Sequence, residues 1–556
     1  MKHILISFTL LMAFLPAMSQ PAWVKKSTKA VFTLKTFDPA GTLIGSSTGF
    51  FIAETGEAIS CYTPFRGAER AVVIDAVGKE WPVDYILGAN ETYDVAKFHV
   101  EVKKPQPLSV ASDKLPETAS VWLLPYREVN QVPQGTVKKT ETFNDQYAYY
   151  TVTIPANEAM AGAPLINDAG EVIGIMQAPY TPDDSLSYAV SAAFADSLHI
   201  TGLSINETAL RAIHIKKALP KDINQALLTL FVSSSALDSA DYAQLVNDFI
   251  AQFPNSPDGY IYRAELAAAA DACQDADKDM AKAIKVAEKP DEPHYSYSRL
   301  IMQKLVSRPE PPYEPWTMDK ALEEARAANA INPQPTYRMQ EADVLFAKKD
   351  YQGASDIYQE LSQGPLRSPD IFYEAARCRI LLGDTVGQLA LLDSMMALHA
   401  RPFLKEAAPY ILARAQARLD ANKYRDAVSD LNDYEQLMVA QVNENFYYLR
   451  FQAEVGGRLF QQALNDIDRA ISMNPSPEFY LAEKASLQVR VGLYDEAVET
   501  SQQCISKAPT LSDGYLFLGL AQCLKGEKQE GVKNLQKARE LGDTQADALI
   551  EKYGQQ

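Results

Sequence analysis

Cysteine is scarce in this chain of 556 residues, and its count is odd. The five cysteines are Cys61, Cys273, Cys378, Cys504 and Cys523. A sparse, odd set does not form the dense disulfide framework of a small secreted domain. Two interpretations stay open for Cys504 and Cys523: one bridge between neighbouring helices, or free thiols buried on helix faces.

Histidine is equally scarce, with six residues in the whole chain. They are His3, His99, His199, His214, His294 and His399. No HExxH, CxxC or EF-hand spacing is present. The sequence therefore predicts neither a metal site nor a cofactor.

Positive charge is in deficit, because 53 lysines and arginines stand against 71 aspartates and glutamates, a formal net charge of −18. An acidic surface repels phosphate backbones, and no basic patch offsets it, so nucleic acid is not expected as a partner. Beyond the N-terminus there is no run of about 18 apolar residues, and no integral membrane segment is predicted.

The N-terminus has the pattern of a secretory signal. Lys2 supplies a positive start, residues 4–15 form an apolar run, and residues 17–19 form a small-x-small cleavage site. We expect residues 1–19 to be a signal peptide that is cut after Ser19. The mature protein is then predicted to be periplasmic or secreted.

Residues 20–205 contain many short apolar or alternating runs, which Gly, Pro, Asn and Asp separate. The runs are Ala30–Phe37, Gly49–Ile52, Glu57–Tyr62, Ala71–Ile74, Ala96–Val100, Val121–Leu124, Tyr149–Ile154 and Val172–Met176. Short strands with turn signals between them favour an antiparallel sandwich or barrel.

Three motifs follow one another within this segment. Residues 47–52 read Ser-Thr-Gly-Phe-Phe-Ile, residues 93–98 read Tyr-Asp-Val-Ala-Lys-Phe, and residues 158–167 read Glu-Ala-Met-Ala-Gly-Ala-Pro-Leu-Ile-Asn. In this order they resemble the landmarks of trypsin-like serine proteases of the bacterial Deg type. The resemblance implies that residues 20–205 form a double β-barrel.

The resemblance also implies where a catalytic triad would lie, and two of its positions are altered. Thr63 falls at the histidine position, Asp94 matches the orienting aspartate, and Ala161 stands where the family keeps its nucleophilic serine. The mechanism needs a hydroxyl nucleophile, a base that titrates near neutral pH and a carboxylate to hold that base. A methyl group cannot attack a carbonyl, and a threonine hydroxyl is not basic at pH 7. The sequence therefore predicts a pseudoenzyme with a degenerate triad.

Other residues offer little replacement for the missing groups. His99 follows Asp94 on the same strand and cannot face it, while His199 and His214 lie beyond the last barrel strand. Cys61 is close to the altered histidine position, and an inert thiol is the favoured interpretation over a reactive one. The rival hypothesis is an active trypsin-like endopeptidase whose triad lies elsewhere.

After about residue 206 the composition shifts to Ala, Leu, Glu, Lys, Gln and Tyr, which is typical of helices. We expect a helical connector over residues 206–240, a repeat domain over residues 241–545 and a C-terminal tail over residues 546–556. Residues 309–315 (PEPPYEP) interrupt the repeats, as an ordinary connector or as a docking loop.

The repeat unit is 34 residues long, the interval from Pro475 to Pro509 and from Ala463 to Ala497. It resembles the tetratricopeptide repeat, in which each unit is a pair of antiparallel helices. Stacked units bury one continuous core and curve into a superhelix with a groove. The resemblance implies an all-α superhelix that binds a protein or peptide.

Three residues near the start of one unit are candidates for the groove. Asn445, Tyr448 and Gln452 are spaced three and four apart and share one helix face. The alternative for Tyr448 is a place in the core. Taken together, the sequence predicts an exported, non-catalytic multidomain β + α protein, a pseudoprotease barrel joined to a repeat array that holds or presents a partner protein.

Overall fold

We describe the protein from a computed structural model. It describes residues 21–124, 126, 132–179 and 186–554. The expected signal peptide and its cleavage site lie outside the described residues. The chain divides into two compact units, the first ending at Leu266 and the second beginning at Ala267.

The first unit contains two closed antiparallel β-barrels of six strands each. Their strands are β1 (Val31–Phe37), β2 (Leu43–Phe51), β3 (Glu57–Ser60), β4 (Arg70–Ile74), β5 (Glu80–Asn90), β6 (Val95–Val100), β7 (Ser120–Leu123), β8 (Gln134–Phe143), β9 (Tyr147–Val152), β10 (Pro164–Ile166), β11 (Val172–Met176) and β12 (Ser187–Ser191). The neighbour order is β1-β2-β3-β6-β5-β4 in the first barrel and β10-β11-β12-β9-β8-β7 in the second. The double-barrel prediction is confirmed.

Apolar side chains on the strands fill the interior of each barrel. In β1, Phe32 and Leu34 are fully buried in the first barrel together with Phe98 of β6. In the second barrel, Leu165 and Tyr150 occupy the equivalent interior. Each such side chain contributes about 1.5–3 kcal/mol through removal of apolar surface from water.

Two of the longer strands were not expected from the sequence. β5 carries Pro82 and two charged residues, Glu80 and Asp84, and β8 buries little besides Val137 because most of its side chains reach solvent. A strand with one polar face and one short apolar patch lacks the hydrophobic run that marks its neighbours. Both are held by pairing, β5 to β6 and β8 to β9.

The stretch predicted as a helical connector is only partly helical. Between two helices, residues 213–218 run in extended form along the first barrel, with Ile213 and Ile215 in its core. The amide of Ile86 donates to the Lys216 carbonyl at 2.8 Å. The alternation of buried isoleucines with exposed His214 has the period of a strand, which outweighs the helical composition around it.

The described residues also form helices, most of them after residue 206. The helices are α1 (Val24–Ser27), α2 (Thr208–Arg211), α3 (Ile223–Ser233), α4 (Ser239–Gln252), α5 (Pro257–Ala269), α6 (Cys273–Val286), α7 (Asp291–Ser307), α8 (Met318–Ile331), α9 (Pro335–Ala347), α10 (Tyr351–Leu361), α11 (Pro369–Leu381), α12 (Thr385–Met396), α13 (Ala408–Asp420), α14 (Tyr424–Met438), α15 (Glu444–Gly456), α16 (Phe460–Met473), α17 (Glu478–Arg490), α18 (Tyr494–Lys507), α19 (Ser512–Lys525), α20 (Lys528–Glu540) and α21 (Ala546–Gly554). None of the described helices is long and apolar enough to cross a bilayer.

The repeat period has a packing cause in the second unit. Ala463 of α16 and Ala497 of α18 are fully buried, so a larger side chain at either place would push neighbouring helices apart. Some helix starts are capped by a side chain, as where the Asp350 carboxylate accepts from the Gly353 amide at 3.0 Å. Residues 546–554, predicted as a tail, form helix α21, whose Ala546 packs against the last repeats.

The proline-rich segment 309–315 is anchored at both ends. Lys304 is 2% exposed and donates to the Glu310 carbonyl, and Trp316 is 2% exposed and donates to the Asp277 carboxylate at 3.0 Å. A loop fixed by a buried cation and a buried indole has the features of a connector rather than of a free docking segment.

Buried arginine–carboxylate pairs recur in successive repeats. Arg414 binds both oxygens of Asp430, and Arg450 binds both oxygens of Asp466 and also reaches Glu435 on the preceding helix α14 at 2.6 Å. Each arginine therefore links the two helices of its own repeat, and Arg450 also ties its repeat to the previous one.

Glu454 lies beside this network without a complete set of partners. It is 3% exposed, and its Oε2 atom has no hydrogen-bond partner among the described residues. Burial, and then the negative charge of Asp466, raises the pKa of Glu454 to about 8. The folded array therefore keeps a proton that the unfolded chain releases near pH 4.5, and its stability should fall as pH rises from about 4.5 to 8.

We expect Glu454→Gln to remove that loss. At pH 9 the variant should be more stable than the native chain by about 3 kcal/mol, and at pH 5 the two should be nearly equal. Urea unfolding followed by helical circular dichroism at both pH values measures the difference. Glu499→Gln, at an exposed position of α18, is the control and should change neither curve. An equal effect of Glu454→Gln at both pH values would contradict the assignment.

Candidate active-site region

Thr63 and Asp94, predicted to stand at two triad positions, are in direct contact. Thr63 begins a short 3-10 turn after β3, and Asp94 ends the loop before β6 with a φ of +49°. The Asp94 carboxylate accepts from the Thr63 amide at 2.6 Å and from the Thr63 hydroxyl at 2.8 Å. The pair holds the turn together and contains no imidazole.

Ala161 closes the third turn, between a 3-10 segment at Glu158–Met160 and strand β10. Its methyl group is nearly buried, with 7% of the residue exposed. Its amide donates to the Glu158 carbonyl at 3.1 Å, and its carbonyl accepts from the Thr48 amide at 2.8 Å. Both backbone groups of Ala161 are therefore engaged within the protein.

Gly162 brings this turn against the first barrel. Its φ is +82°, and its amide donates to the Met176 carbonyl at 2.8 Å. The Cys61 thiol contacts the same carbonyl at 3.8 Å. Since Cys61 lies two residues before Thr63, the predicted histidine position and the Ala161 turn meet around Met176.

Three small hydroxyl residues hold the region together through hydrogen bonds that the sequence does not predict. Ser47 and Ser60 share a hydrogen bond of 2.8 Å, and Ser60 also donates to the Thr48 carbonyl at 2.7 Å. The Thr48 hydroxyl reaches across to the Ala159 carbonyl at 2.9 Å. Small polar residues within strands are common, so their burial between β2, β3 and the Ala161 turn has no sequence signal.

The histidines are engaged elsewhere. The His99 ring stacks on Tyr85 with centroids 4.6 Å apart, and its Nε2 lies 2.9 Å from the Thr55 carbonyl. His214 pairs with Glu69 at the surface. Among the described residues, no histidine forms a hydrogen bond or an ion pair with Asp94.

All five cysteines are free and buried. Burial, and then the nearby charge of Asp94, raises the pKa of the Cys61 thiol well above its ordinary range. The protonated thiol is the unreactive form.

We expect Cys61 to resist alkylation while the chain is folded. Iodoacetamide at pH 8 should label it at least about 100-fold more slowly than it labels the same residue in urea, because the thiolate is suppressed and the site is closed to solvent. Peptide mass spectrometry of trapped samples gives both rates. Rapid labelling of Cys61 in native buffer would show a reactive thiol instead.

The groove candidates lie on helix α15. Asn445 and Gln452 are exposed, and the Tyr480 hydroxyl donates to Asn445 at 3.4 Å. Tyr448 is half-buried, and its ring packs at 5.8 Å from Phe451, a member of the core. Tyr448 therefore packs against the core on one side and is exposed on the other. Its role in binding stays a prediction.

Within the parts of the chain that the structure describes, no group of three or more His, Cys, Asp or Glu side chains is placed to hold a metal ion.

Comparison with known proteins agrees with this architecture. Residues 47–175 match the trypsin-like peptidase domain family. The small glutamine-rich tetratricopeptide repeat-containing protein 2 of Saccharomyces cerevisiae is 25% identical over 145 residues, which cover 26% of this chain and 42% of that protein. The chain thus spans less than half the length of this curated relative.

Two solved structures are also similar. One is the HtrA-type protease AlgW with a tripeptide, at 18% identity, covering 33% of this chain and 62% of that chain with a TM-score of 0.28. The other is a serine-to-alanine mutant of Rv3671c from M. tuberculosis H37Rv in an inactive form, at 19% identity, covering 33% and 91%, with a TM-score of 0.28.

The two barrels and the family match define a trypsin-like domain. The helical array that follows it is of the tetratricopeptide type. The chain therefore joins a trypsin-like domain to an array of helical repeats.

Proposed function

We propose that the protein is a non-catalytic, exported scaffold, in which a pseudoprotease domain is joined to a repeat array that holds or presents a partner protein or peptide. The observation that carries this proposal is the turn at Ala161. It has a methyl group at the position of the family's nucleophile, and its amide is bound to the Glu158 carbonyl.

Peptide hydrolysis by this fold needs three things that the region around Ala161 does not offer. A nucleophilic oxygen or sulfur must face the substrate, a base must take its proton, and amide groups must be free to stabilise the oxyanion. Here the Thr63 hydroxyl is bound to Asp94, and the nearest thiol, Cys61, is buried and protonated. These contacts support a structural role for the former catalytic region.

The binding role is supported by the array. Tetratricopeptide arrays expose polar residues on the first helix of each unit, and Asn445 and Gln452 are such residues on α15. We place the binding of a protein or peptide partner there. Export is proposed from the signal pattern of residues 1–19, which places the partner in the periplasm or outside the cell.

Cross-linked capture from the native envelope tests the binding role. The full chain is the bait, and the test variant carries Asn445→Ala with Gln452→Ala. The matched control carries Gln461→Ala with Asn465→Ala, two exposed polar residues on the second helix, α16, of the same repeat. Quantitative mass spectrometry compares the proteins recovered by each bait.

We expect one or a few proteins to be recovered by the native chain and the control at equal levels, and at least about fivefold less by the test variant, since the exposed amides supply the hydrogen bonds. A partner whose recovery is the same with all three baits would contradict the placement of the binding surface. Recovery of peptides cut at one type of residue would favour the endopeptidase instead.

A further inference from the structure

One phenylalanine of the array is about half exposed and packs against two tyrosines. Phe479, on helix α17, is 49% exposed. Its ring lies edge-on to Tyr448 at 5.2 Å and to Tyr480 at 5.5 Å. Tyr448 and Tyr480 are themselves 5.4 Å apart. We call Tyr448, Phe479 and Tyr480 the aromatic shelf.

Two carboxylates adjoin the shelf. Glu483 lies one helical turn beyond Phe479 on the same face of α17, and Asp513 lies at the start of α19, the first helix of the next repeat. Both are partly buried. Partial burial, and then the charge of Asp513, raises the pKa of Glu483. Burial, and then the charge of Glu483, raises the pKa of Tyr448. Glu483, Asp513 and Tyr448 are therefore neighbours.

Neither carboxylate has a counter-ion. Among the described residues, Glu483 and Asp513 form no ion pair and no side-chain hydrogen bond, and Lys484 beside them is paired with Asp468 at 2.7 Å. By contrast, the buried Asp466 in the preceding repeat has Arg450 as its counter-ion at 2.5 Å. Removing a carboxylate from water without a partner is unfavourable. A cationic ligand would therefore be stabilised by Glu483 and Asp513.

We propose that the aromatic shelf, together with Glu483 and Asp513, binds an arginine-bearing segment of the partner protein, with an apolar side chain of that segment against Phe479. A guanidinium binds carboxylates through two parallel hydrogen bonds and stacks on aromatic rings, which a lysine ammonium does less well. The net charge of −18 attracts a basic segment over a longer range. This inference rests on the proposed scaffold function and names the chemistry of its partner.

Fluorescence anisotropy with short synthetic peptides tests this binding on the full chain. The first peptide carries two arginines and one phenylalanine in a Gly-Ser background, blocked at both ends. The second has citrulline, a neutral shape mimic, for each arginine, and the third has glutamate. The test variant is Glu483→Gln with Asp513→Asn, which keeps side-chain size and removes the two charges.

The matched charge control is Glu496→Gln with Glu499→Gln, at two exposed positions of α18. For the apolar contact, Phe479→Ser is compared with Phe231→Ser, since Phe231 is an exposed phenylalanine (69%) of α3. Thermal melts of every variant confirm that it is folded.

The arginine peptide should bind the native chain at least about tenfold more tightly than the citrulline peptide, because the charged hydrogen bonds are the stronger ones. The affinity for the arginine peptide should fall by a similar factor in Glu483→Gln/Asp513→Asn and in Phe479→Ser. In both control variants it should stay within about twofold of the native affinity. Binding should weaken between about 50 and 300 mM salt.

Equal losses in the test and control charge variants would overturn the proposal, since they would report net charge alone. Equal binding of the arginine and glutamate peptides would overturn it as well. So would self-association of the full chain that Phe479→Ser abolishes, because a second copy would then cover the shelf. A captured partner that ignores the Glu483/Asp513 variant would refute this inference while leaving the scaffold function intact.

Discussion

Replacing Gly162 by alanine should unfold the turn that carries Ala161 and destabilise both barrels. A Cβ atom at Gly162 would lie 2.0 Å from the Thr48 carbonyl oxygen and 3.0 Å from the Ser60 hydroxyl. Neither neighbour can give way, because Thr48 belongs to β2 and the Ser60 hydroxyl donates to its carbonyl. The backbone is also left-handed there, with φ at +82°, which disfavours any side chain.

Gly41→Ala is the matched control for this prediction. Gly41 has nearly the same φ, +81°, but no atom lies within 4 Å of its added Cβ. Gly41→Ala should lower the free energy of unfolding by about 1 kcal/mol, from backbone conformation alone. Gly162→Ala should lower it by about 4 kcal/mol or more. Tryptophan fluorescence in urea measures both, since Trp23, Trp81 and Trp122 lie in the first unit. Equal costs would mean that the turn does not press against β2.

Arg450→Met should be the most damaging single change in the repeat array. Arg450 is 4% exposed and binds Asp466, Glu435 and Asn432. Its removal leaves Asp466 and Glu435 with Arg469 as their cation, and the Arg469 side chain is 52% exposed. Glu454 also loses its contact of 3.9 Å with Arg450. The expected loss is about 3–5 kcal/mol of unfolding free energy.

Lys533→Met breaks an ion pair of another kind and serves as the reference. Lys533 and Glu530 pair at 3.6 Å with side chains 74% and 64% exposed, so the expected loss is below about 1 kcal/mol. Urea unfolding followed by helical circular dichroism compares the two variants. A loss below about 1 kcal/mol for Arg450→Met would show that the buried network does not hold the repeats together.

Much of the fold can be predicted from the sequence, because its strands and helices bury apolar residues at regular intervals. Runs such as Val172–Met176 mark strands, and the small residues Ala463 and Ala497 mark helix contacts at the repeat period. β5 and β8 were missed because pairing, rather than burial, holds much of their length. The extended run through Ile213 and Ile215 was missed because helix-forming residues surround it, while the first barrel supplies the surface that it covers.

The candidate site was predictable in position but not in detail. The motifs place Thr63, Asp94 and Ala161, and the structure brings Thr63 and Asp94 into contact. The bond from the Ala161 amide to the Glu158 carbonyl depends on how one short turn closes, which residue identity does not specify. The hydroxyls of Thr48 and Ser60 hold that turn through long-range contacts, and such contacts leave no local pattern.

The same contacts give the turn a structural role that does not depend on catalysis. Gly162 fits against the Thr48 carbonyl, and the Ala161 carbonyl accepts from the Thr48 amide, so the turn fastens the second barrel to the first. A position required for packing is retained whether or not a nucleophile stands beside it. The two unpaired carboxylates beside the aromatic shelf are a different case, since Glu483 and Asp513 form no ion pair and no side-chain hydrogen bond among the described residues.

Treatment of the purified full chain with a fluorophosphonate reagent, alongside a casein hydrolysis assay, tests the absence of protease chemistry most directly. We expect no labelled residue and no hydrolysis above a buffer blank, under conditions in which trypsin is labelled and cleaves casein. Labelling of a serine, with casein cleavage that is lost when that serine is replaced by alanine, would contradict it.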